Sequence, residues 1–245
     1  MDNMDHRGMT SGEWLEVIDA MEDVAPYYER VNTLMTFGLA DKWRREAASA
    51  AKPDDVVLEI GSGPGNFARH LASKTVYCLE PSGELASMSR RMLDDEHVRI
   101  IRGVGEKIPL SDQSVDKVFC VFSFRDFFDR AAGAGEMFRV LRPGGEVRIV
   151  DVAKPPPGPY AKLLEMHIKH VVPKLAMVAV PPAARARWER DPYRTFADTY
   201  KAFGFATVHE GLLRRSGFAA VATDYLKARG AAMTMGTKPW TSTSS

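Results

Sequence analysis

The sequence predicts an α/β fold, in which a doubly wound sheet of five parallel strands is completed by a C-terminal antiparallel hairpin. Three observations predict this architecture. Short apolar runs alternate with helical patterns through the middle of the chain, as in a parallel sheet. One of these runs, residues 56–60, continues directly into a glycine turn. Two strand-like runs near the C-terminus are joined by so short a link that they must pair antiparallel.

Five strands and three helices are predicted for the core. The run 56–60 has no polar alternation, which is typical of a strand covered on both faces. The strands are placed at 56–60, 75–80, 98–103, 116–122 and 146–152, and the helices at about 65–73, 83–94 and 131–141. Residues 141–145, Leu-Arg-Pro-Gly-Gly, are predicted to end the last of these helices with a turn that leads into the fifth strand.

The C-terminal part is predicted to be a helix followed by two strands. Thr207 and Glu210 have the spacing of a capping box, in which the two side chains satisfy backbone N–H groups at the helix start. Gly217 is predicted to end this helix. The strands follow at 219–226 and 231–238.

Shifts in composition divide the chain into four segments. Residues 1–50, with helical spacing from Glu13 to Glu29, form an N-terminal helical extension, which either packs on the core or caps the cofactor pocket. Residues 51–153 are the cofactor-binding core, and residues 207–245 complete it. The insertion 154–206 is rich in proline at its start and then strongly apolar. It is either a helical layer buried on the core or a lid over a lipophilic substrate.

The composition is that of an ordinary globular protein. A net charge of +1 gives no electrostatic reason to expect nucleic acid as the main ligand. Cys78 and Cys120 lie in apolar runs and are predicted to be reduced core residues. The N-terminus has no apolar signal region, and no apolar run reaches about 18 residues. We therefore expect a cytoplasmic protein without a transmembrane span.

The glycine turn predicts a cofactor cradle. Gly61, Gly63 and Gly65 bring backbone N–H groups close to a ligand at the carboxyl edge of the sheet. A dinucleotide fingerprint would require glycine at the sixth position, which is Asn66 here. Glu80 ends the next strand about 20 residues later, where an acid binds ribose hydroxyls. Any adenosine-containing ligand with free hydroxyls would suit this arrangement.

The spacing Glu-x-Gly-x-Gly-x-Gly of residues 59–65 resembles motif I of class I S-adenosylmethionine methyltransferases. Four further stretches are similar to the ubiquinone/menaquinone biosynthesis C-methyltransferase family: residues 24–38 with Trp43, residues 105–116, residues 122–127 and residues 137–145. The assignment to this family within class I depends mainly on the first and third stretches. The resemblance implies the class I methyltransferase fold, S-adenosylmethionine as cofactor and a small, lipophilic substrate.

The resemblance also implies roles for individual residues. The cofactor-binding residues it indicates are Glu59, Gly61, Ser62, Gly63, Gly65, Glu80, Pro81, Val104, Gly105, Glu106 and Val121. Among them, the glycine turn would hold the methionine moiety and Glu80 would bind the ribose. Residues 104–106 would flank the adenine, and Val121 would lie beside the sulfonium. Tyr28, Arg125 and Asp126 would meet the aromatic substrate and form the catalytic group. The sequence predicts no metal site.

Three departures from the family pattern affect these expectations. Pro64 stands where the family commonly has Thr, and Ser123 where it has Gly. Asp126 stands where it has Asn, which bears on the substrate, because an ionised carboxylate cannot donate a hydrogen bond as an amide can.

Several other side chains are considered for a function. His167 and His170 share a helical face but have few further metal ligands nearby, and His70, His97 and His209 are predicted to be exposed. The basic residues Arg185, Arg187, Arg190 and Arg194 form either a solvated face or a contact with anionic lipid headgroups. A homodimer and peripheral contact with a membrane are left open.

The expected function is S-adenosylmethionine-dependent C-methylation of the ring of a polyprenyl quinol, with demethylmenaquinol as the indicated substrate. Arg125 would stabilise the developing phenolate, Asp126 would act as the base directly or through water, and Tyr28 would orient the ring hydroxyl. The alternatives are O- or N-methylation of another small molecule and a binding protein without turnover. A nicotinamide oxidoreductase is disfavoured by Asn66 and by the terminal hairpin.

Overall fold

The computed structural model describes Asp19, Glu22, residues 25–186 and residues 207–240. Within this part of the chain seven strands form one sheet: β1 Val56–Ile60, β2 Thr75–Glu80, β3 Val98–Arg102, β4 Val115–Val121, β5 Leu141–Val152, β6 Ala219–Tyr225 and β7 Ala231–Thr237. The spatial order is β3-β2-β1-β4-β5-β7-β6. The first five strands are parallel, and β7 pairs antiparallel with both β5 and β6. The predicted sheet and its terminal hairpin are therefore confirmed.

Eight α-helices accompany the sheet in the described residues: α1 Tyr28–Met35, α2 Leu39–Ala48, α3 Gly83–Met92, α4 Arg130–Val140, α5 Pro159–Met166, α6 Val172–Ala179, α7 Pro182–Arg185 and α8 Val208–Arg215. A π-helical turn, His167–Val171, connects α5 to α6. None of the helices in the described ranges is long and apolar enough to cross a bilayer.

The central strands bury apolar side chains on both faces, which explains why their sequences do not alternate. Leu58, Ile60, Val118 and Ile149 belong to one core, together with Met137 of α4 and Leu212 of α8. Val57, Val76, Phe119 and Val150 belong to the other, together with Trp43 and Ala47 of α2. The sheet is thus covered on each side, as a doubly wound fold requires. Cys78 and Cys120 are free and buried in these cores, as predicted.

The N-terminal helices contact the insertion as well as the core. Val31 of α1 is fully buried against Ala176 and Ala179 of α6. The His167 ring nitrogen Nε2 lies 2.8 Å from the Met35 carbonyl oxygen. Trp43 Nε1 donates to the Lys227 carbonyl oxygen at 2.9 Å, so α2 is also fixed to the connection between β6 and β7. The division of the chain into four segments stays a prediction, as do the roles of the N-terminal extension as a cap and of the insertion as a lid. Most of the helix expected over residues 13–29 lies outside the described residues.

Three local predictions are wrong. The helix expected at 65–73 is only a 3₁₀ turn, Ala68–His70, because Leu71 already has extended backbone angles. Strand β5 begins at Leu141 rather than at 146: Leu141 pairs with Val115, and the pairing resumes only at Glu146 opposite Lys117. The intervening residues bulge out of the ladder, with Gly144 at φ 80°.

The third wrong prediction is the capping box at the start of α8. Thr207 has helical backbone angles, and its side chain makes no capping hydrogen bond. Glu210 pairs instead with Arg214 one turn further along, at 2.7 Å. Gly217, at φ 99°, does end the helix, as predicted.

Candidate functional site

The parallel strands β1, β2, β4 and β5 end at the same edge of the sheet, and the predicted site residues follow these ends. The glycine turn comes after β1, Glu80 is the last residue of β2, and the loop from Phe122 to Asp126 follows β4. Phe122 itself has a φ of 63°, which is unusual for a bulky residue. Residues with such strained backbone angles occur preferentially at active sites. The topology therefore brings together residues that are far apart in the chain.

The glycine turn is held against the end of β2. The Gly61 and Ser62 N–H groups both donate to the Leu79 carbonyl oxygen, at 2.8 and 3.2 Å. Gly63, at φ 54°, has no atom within 4 Å of the position that a Cβ would occupy. The turn is thus shaped by its own hydrogen bonds and leaves open space on the outside of Gly63.

Glu80 links the glycine turn to the next loop. Its two carboxylate oxygens accept hydrogen bonds from the Gly63 N–H and the Ser82 N–H, each at 2.8 Å. The side chain is buried, and burial raises the pKa of the carboxyl in spite of these two bonds. Each oxygen keeps a lone pair for a further donor. Glu80 is therefore in a position to accept hydrogen bonds from two neighbouring hydroxyl groups.

Glu59 lies in β1, directly beneath the turn, and is 2% exposed. Burial raises its pKa to about 8, although the guanidinium of Arg44 opposes this shift. Arg44, on α2, is also almost fully buried and binds both carboxylate oxygens of Glu29, at 3.0 and 2.8 Å. The N-terminal extension thus supplies a cation that acts on the acid under the glycine turn. Arg44 is not among the residues that the sequence predicted for the site.

The loop after β4 touches the glycine turn. Ser123 Oγ donates to the Ile60 carbonyl oxygen at 2.7 Å. A Cβ on Gly61 would lie only 2.5 Å from the Cβ of Ser123, so the two loops approach as closely as a glycine allows. The glycine turn is therefore in direct contact with the loop that carries Arg125 and Asp126.

Arg125 is held by an acid that the sequence analysis missed. Asp151, at the end of β5, accepts hydrogen bonds from the Arg125 side chain and, at 3.2 Å, from its backbone N–H. Arg125 Nε lies 3.5 Å from a carboxylate oxygen of Asp126. Burial opposes the charged form of Arg125, but Asp151, Asp126 and Tyr28 outweigh it and raise the guanidinium pKa. Arg125 is therefore a fixed cation, and Tyr28 lies within its electrostatic reach.

Asp126 differs from Asp151 in its environment. Burial raises the pKa of Asp126 to about 6, and the nearby charge of Asp151 raises it too, whereas Arg125 and Arg130 lower it. A carboxyl with this pKa loses its proton just below neutral pH and can take one back from a substrate. The structure thus places Asp126 and Asp151 beside Arg125, with Tyr28 near enough to act on its charge, and the catalytic roles of Tyr28, Arg125 and Asp126 stay predictions.

The remaining predicted cofactor residues lie around the same edge. Glu106 accepts hydrogen bonds from the Phe128 and Asp129 N–H groups, at 2.6 and 3.3 Å, so its carboxylate holds the start of α4. Gly105 lies against Phe127, because a Cβ there would be 2.3 Å from that ring. Val104 and Lys107 form an isolated bridge, the Pro81 carbonyl accepts from Arg102, and Val121 is 8% exposed. Direct ligand contacts of these residues stay predictions.

The histidines do not behave as predicted in every case. His209 is not an exposed residue: its ring packs edge-on against Phe124, with 5.1 Å between the centroids, and burial lowers its pKa. His70 and His97 are half-buried and lie beside Asp41 and Asp95. His167 is engaged with the Met35 carbonyl and stacks on Phe37. No cluster of three or more candidate metal ligands occurs in the part of the chain described.

The polar groups around the glycine turn suit a cationic ligand that carries hydroxyls. Ser62 Oγ and Asn66 Oδ1 are buried and find no hydrogen-bond partner among the described residues. Buried polar atoms are normally paired, so orphans at this place indicate that a ligand completes them. With Glu59 and Glu80 beside them, the site offers hydrogen-bond acceptors and two carboxyl groups whose ionised forms a cationic ligand would favour. S-adenosylmethionine, with its sulfonium, ammonium and ribose hydroxyls, fits this donor and acceptor set.

Comparison with known proteins identifies the family. The sequence profile of the ubiE/COQ5 methyltransferase family matches residues 9–238. A demethylmenaquinone methyltransferase of Deinococcus radiodurans is 27% identical over 211 residues, which cover 80% of this chain and 87% of that protein. The ubiquinone/menaquinone biosynthesis C-methyltransferase of Proteus mirabilis is 26% identical over 82% of each chain. A demethylmenaquinone methyltransferase of Clavibacter sepedonicus is 26% identical over 91% of each chain.

Solved structures agree on the fold. A methyltransferase of Thermotoga maritima, described as a possible histamine N-methyltransferase, superposes with a TM-score of 0.61 at 22% identity and covers 89% of this chain and 97% of its own. A methyltransferase of Methanococcus maripaludis gives a TM-score of 0.60 at 13% identity, covering 92% and 94%. At such identities the likeness concerns the class I methyltransferase fold alone. The family match covers most of the chain, and the protein therefore belongs to the ubiE/COQ5 methyltransferase family and is an S-adenosylmethionine-dependent methyltransferase.

Proposed function

We propose that the protein methylates a ring carbon of a polyprenyl quinol and that demethylmenaquinol is its substrate. The family and the relatives named above support C-methylation of a quinone precursor. The choice of demethylmenaquinol is the finer proposal, and it is suggested by relatives such as those of Deinococcus and Clavibacter. The roles of the four segments of the chain and of the individual site residues are part of the same proposal.

The observation that carries the proposal is the contact between the Arg125 loop and the glycine turn. Ser123 hydrogen-bonds the end of β1, and the same short loop carries a fixed cation, Arg125, and a titratable carboxyl, Asp126. Methyl transfer needs donor and acceptor aligned with little other help, because the sulfonium is already an activated electrophile. A substrate bound between these two loops would be aligned in this way.

The cofactor is assigned to the residues at the ends of β1 and β2. Glu80 would accept the ribose hydroxyls, and the glycine turn with Ser62 and Asn66 would surround the methionine moiety. When bound, the cofactor supplies an electrophilic methyl group on its positively charged sulfonium. Glu59, beneath the turn, has a pKa of about 8, and a positive ligand beside it would favour its ionised form.

The protein's part in the reaction is to move one proton and to stabilise one negative charge. A ring carbon of the quinol would form its bond to the methyl group as the bond between that methyl group and sulfur breaks, while a ring hydroxyl gives its proton to a base. The same ring carbon would then lose its hydrogen to solvent as a proton, and the base would return the first proton to the ring oxygen. The net product is a methylated quinol, a neutral thioether and one proton. Ionised Asp126, with a pKa of about 6, would accept the hydroxyl proton.

Arg125 is unsuitable as the base, because Asp151 and Asp126 hold it in its charged form. It would instead stabilise the phenolate that develops as the proton leaves. Asp151 is a positioning residue in this scheme: it binds both the side chain and the backbone of Arg125 and thereby fixes the cation in the loop. Tyr28 would orient the ring hydroxyl from the side of α1.

The test is methyl transfer from labelled S-adenosylmethionine to demethylmenaquinol presented in detergent. Arg125→Ala should lower turnover by about 100-fold, the usual effect of removing one preorganised charge-stabilising group, and should leave cofactor affinity unchanged. Arg142→Ala is the matched control, because Arg142 binds Asp116 through two bonds of 2.7 Å at the opposite edge of the sheet. Equal losses in both variants would indicate a merely structural role for Arg125.

Asp126 gives a second readout. The rate should rise with pH through about 6, as the carboxyl loses its proton, and Asp126→Asn should remove this rise. Cofactor binding without label on the quinol would refute the substrate. In that case the presence of Asp126 in place of the family's Asn favours O- or N-methylation of another small molecule.

A further inference from the structure

The helical segment from α5 through the π-helical turn to α6, residues 159–179, has two apolar sides. On the inner side Ile168, Val172 and Ala176 are buried. On the outer side Leu163, Met166, Val171, Met177 and Val178 are 56, 54, 39, 44 and 77% exposed. A helix of a water-soluble domain normally has a polar outer face, and one that is apolar all round is usually covered on both sides. We call these five residues the outer apolar surface.

Neighbouring residues of α1 and the following turn extend this surface. Leu34 is 38% exposed and lines a shallow groove together with Val178. Phe37 is 75% exposed, and its ring stacks on that of His167 with 5.4 Å between the centroids. The exposed apolar residues therefore form a surface shared by two elements, which marks an interaction site rather than scattered side chains.

The charges on the same segment are mainly positive. Its exposed charged residues are Lys162, Lys169 and Lys174 against one acid, Glu165, so the balance of three positive charges and one negative charge is +2. Apolar side chains flanked by lysines are the composition of a helix that lies in the interface of an anionic bilayer. In a symmetric dimer the same lysines would face one another across the contact, which disfavours a second copy of this chain as the partner.

We propose that residues 159–179, with Leu34 and Phe37, dock the protein on an anionic lipid surface. The inference builds on the proposed function, because a polyprenyl quinol resides in the bilayer. The inner side of α6 packs on Val31 of α1, and Tyr28 of that helix acts on Arg125. The docking surface thus lies one helix away from the residues assigned to the substrate.

The first experiment is sedimentation of the full chain with vesicles of phosphatidylcholine alone or mixed with phosphatidylglycerol. Wild-type protein should bind the mixed vesicles and be released by salt. Met177→Glu should weaken binding by about tenfold or more, because it removes an apolar side chain and adds a negative charge. Met92→Glu is the matched control, since Met92 has a similar exposure of 47% on the distant helix α3. Replacing Lys162, Lys169 and Lys174 by Gln should cost about fivefold for each lysine.

The second experiment separates docking from catalysis. With demethylmenaquinol embedded in the vesicles, Met177→Glu should lower the rate, whereas a water-soluble analogue with a short tail should be methylated at the wild-type rate. Equal vesicle binding by Met177→Glu and Met92→Glu would overturn the docking proposal. Concentration-dependent dimerisation that Met177→Glu abolishes, without vesicle binding, would overturn it too and assign the surface to a second copy. Failure of wild-type protein to methylate the soluble analogue would refute the proposed substrate instead, whatever the vesicles show.

Discussion

Glu59 should make the stability of this protein fall as the pH rises. Its carboxyl lies beneath the glycine turn, and burial raises the pKa from its ordinary value of 4.5 to about 8 in the folded chain. Because Glu59 holds its proton more tightly in the folded chain than in the unfolded chain, its protonation stabilises the folded state at low pH. This advantage is lost as the pH rises from the unfolded to the folded pKa. Glu59→Gln, which cannot ionise, should not show the loss.

The linkage relation gives the size of the effect. With these two pKa values, the stronger proton binding of folded Glu59 costs about 1 kcal/mol of folding free energy at about pH 5.5 and about 4–5 kcal/mol at about pH 9. Between these two conditions the unfolding free energy of Glu59→Gln should therefore rise by about 3–4 kcal/mol relative to that of the wild-type protein. A constant offset from the different hydrogen bonding of the amide cancels in this difference.

The assay is urea unfolding of both proteins, without cofactor, at several pH values over this range. Glu46→Gln is the control: Glu46 is exposed on α2, so its replacement should leave a difference that does not vary with pH. The reasoning is refuted if the unfolding free energies of the wild-type protein and Glu59→Gln change in parallel with pH. It is also refuted if the variant becomes less stable than the wild-type protein as the pH rises. Either result would mean that Arg44 keeps Glu59 ionised throughout.

Three further substitutions test other parts of the structure. Gly61→Ala should reduce stability and cofactor affinity, because φ is 68° and Ser123 lies 2.5 Å from the new Cβ; calorimetry measures both, and Gly135→Ala, with open space, should be neutral. Lys238→Met should lower the unfolding free energy by about 1–3 kcal/mol in urea, since the ammonium donates to carbonyl oxygens at the end of α4. Asp151→Asn should lower turnover on the quinol by about tenfold or more with little change in cofactor affinity, and Asp151→Glu should restore part of it.

The sequence predicted those features that depend on neighbouring residues. The apolar run before Gly61, the glycine spacing and the acid that ends β2 are local patterns, and each corresponds to an observed element. The hairpin followed from the short link between β6 and β7, which leaves the chain no room for a parallel crossover. These features together were sufficient for the fold, whereas the binding of the cofactor by these residues stays a prediction.

The predictions that failed depend on tertiary contacts. Helical spacing of Phe67 and Leu71 suggested a helix, but Phe67 packs on Phe119 of β4 with 5.1 Å between the centroids, and the chain turns toward β2 after one 3₁₀ turn. Packing in the core overrides weak local preference in such a short segment. His209 was predicted to be exposed for the same reason: nothing in the sequence reveals that Phe124, 85 residues earlier, covers one side of it.

Asp151 and Arg44 were missed because their partners are distant in the chain. Arg125 and Asp151 are 26 residues apart, and Arg44 lies on a helix whose sequence gives it no special place. A signal for Asp151 was nevertheless present. It is an acid next to the carboxyl end of an apolar strand, as Glu80 is in β2, and in a parallel sheet such positions converge at one edge. The same rule applied to every strand would have found it.

The charges at this edge also distinguish a methyl donor from a dinucleotide. In a dinucleotide site the glycine turn offers backbone N–H groups to a pyrophosphate. Here the Gly63 N–H donates to Glu80, and the Gly61 and Ser62 N–H groups donate to Leu79. A pyrophosphate would therefore find these donors occupied and would oppose the ionisation of the carboxyl groups of Glu59 and Glu80 beside it. A sulfonium with an ammonium group would favour ionisation of the same carboxyls, so the electrostatics of the turn, and not its glycine spacing alone, disfavour the nicotinamide alternative.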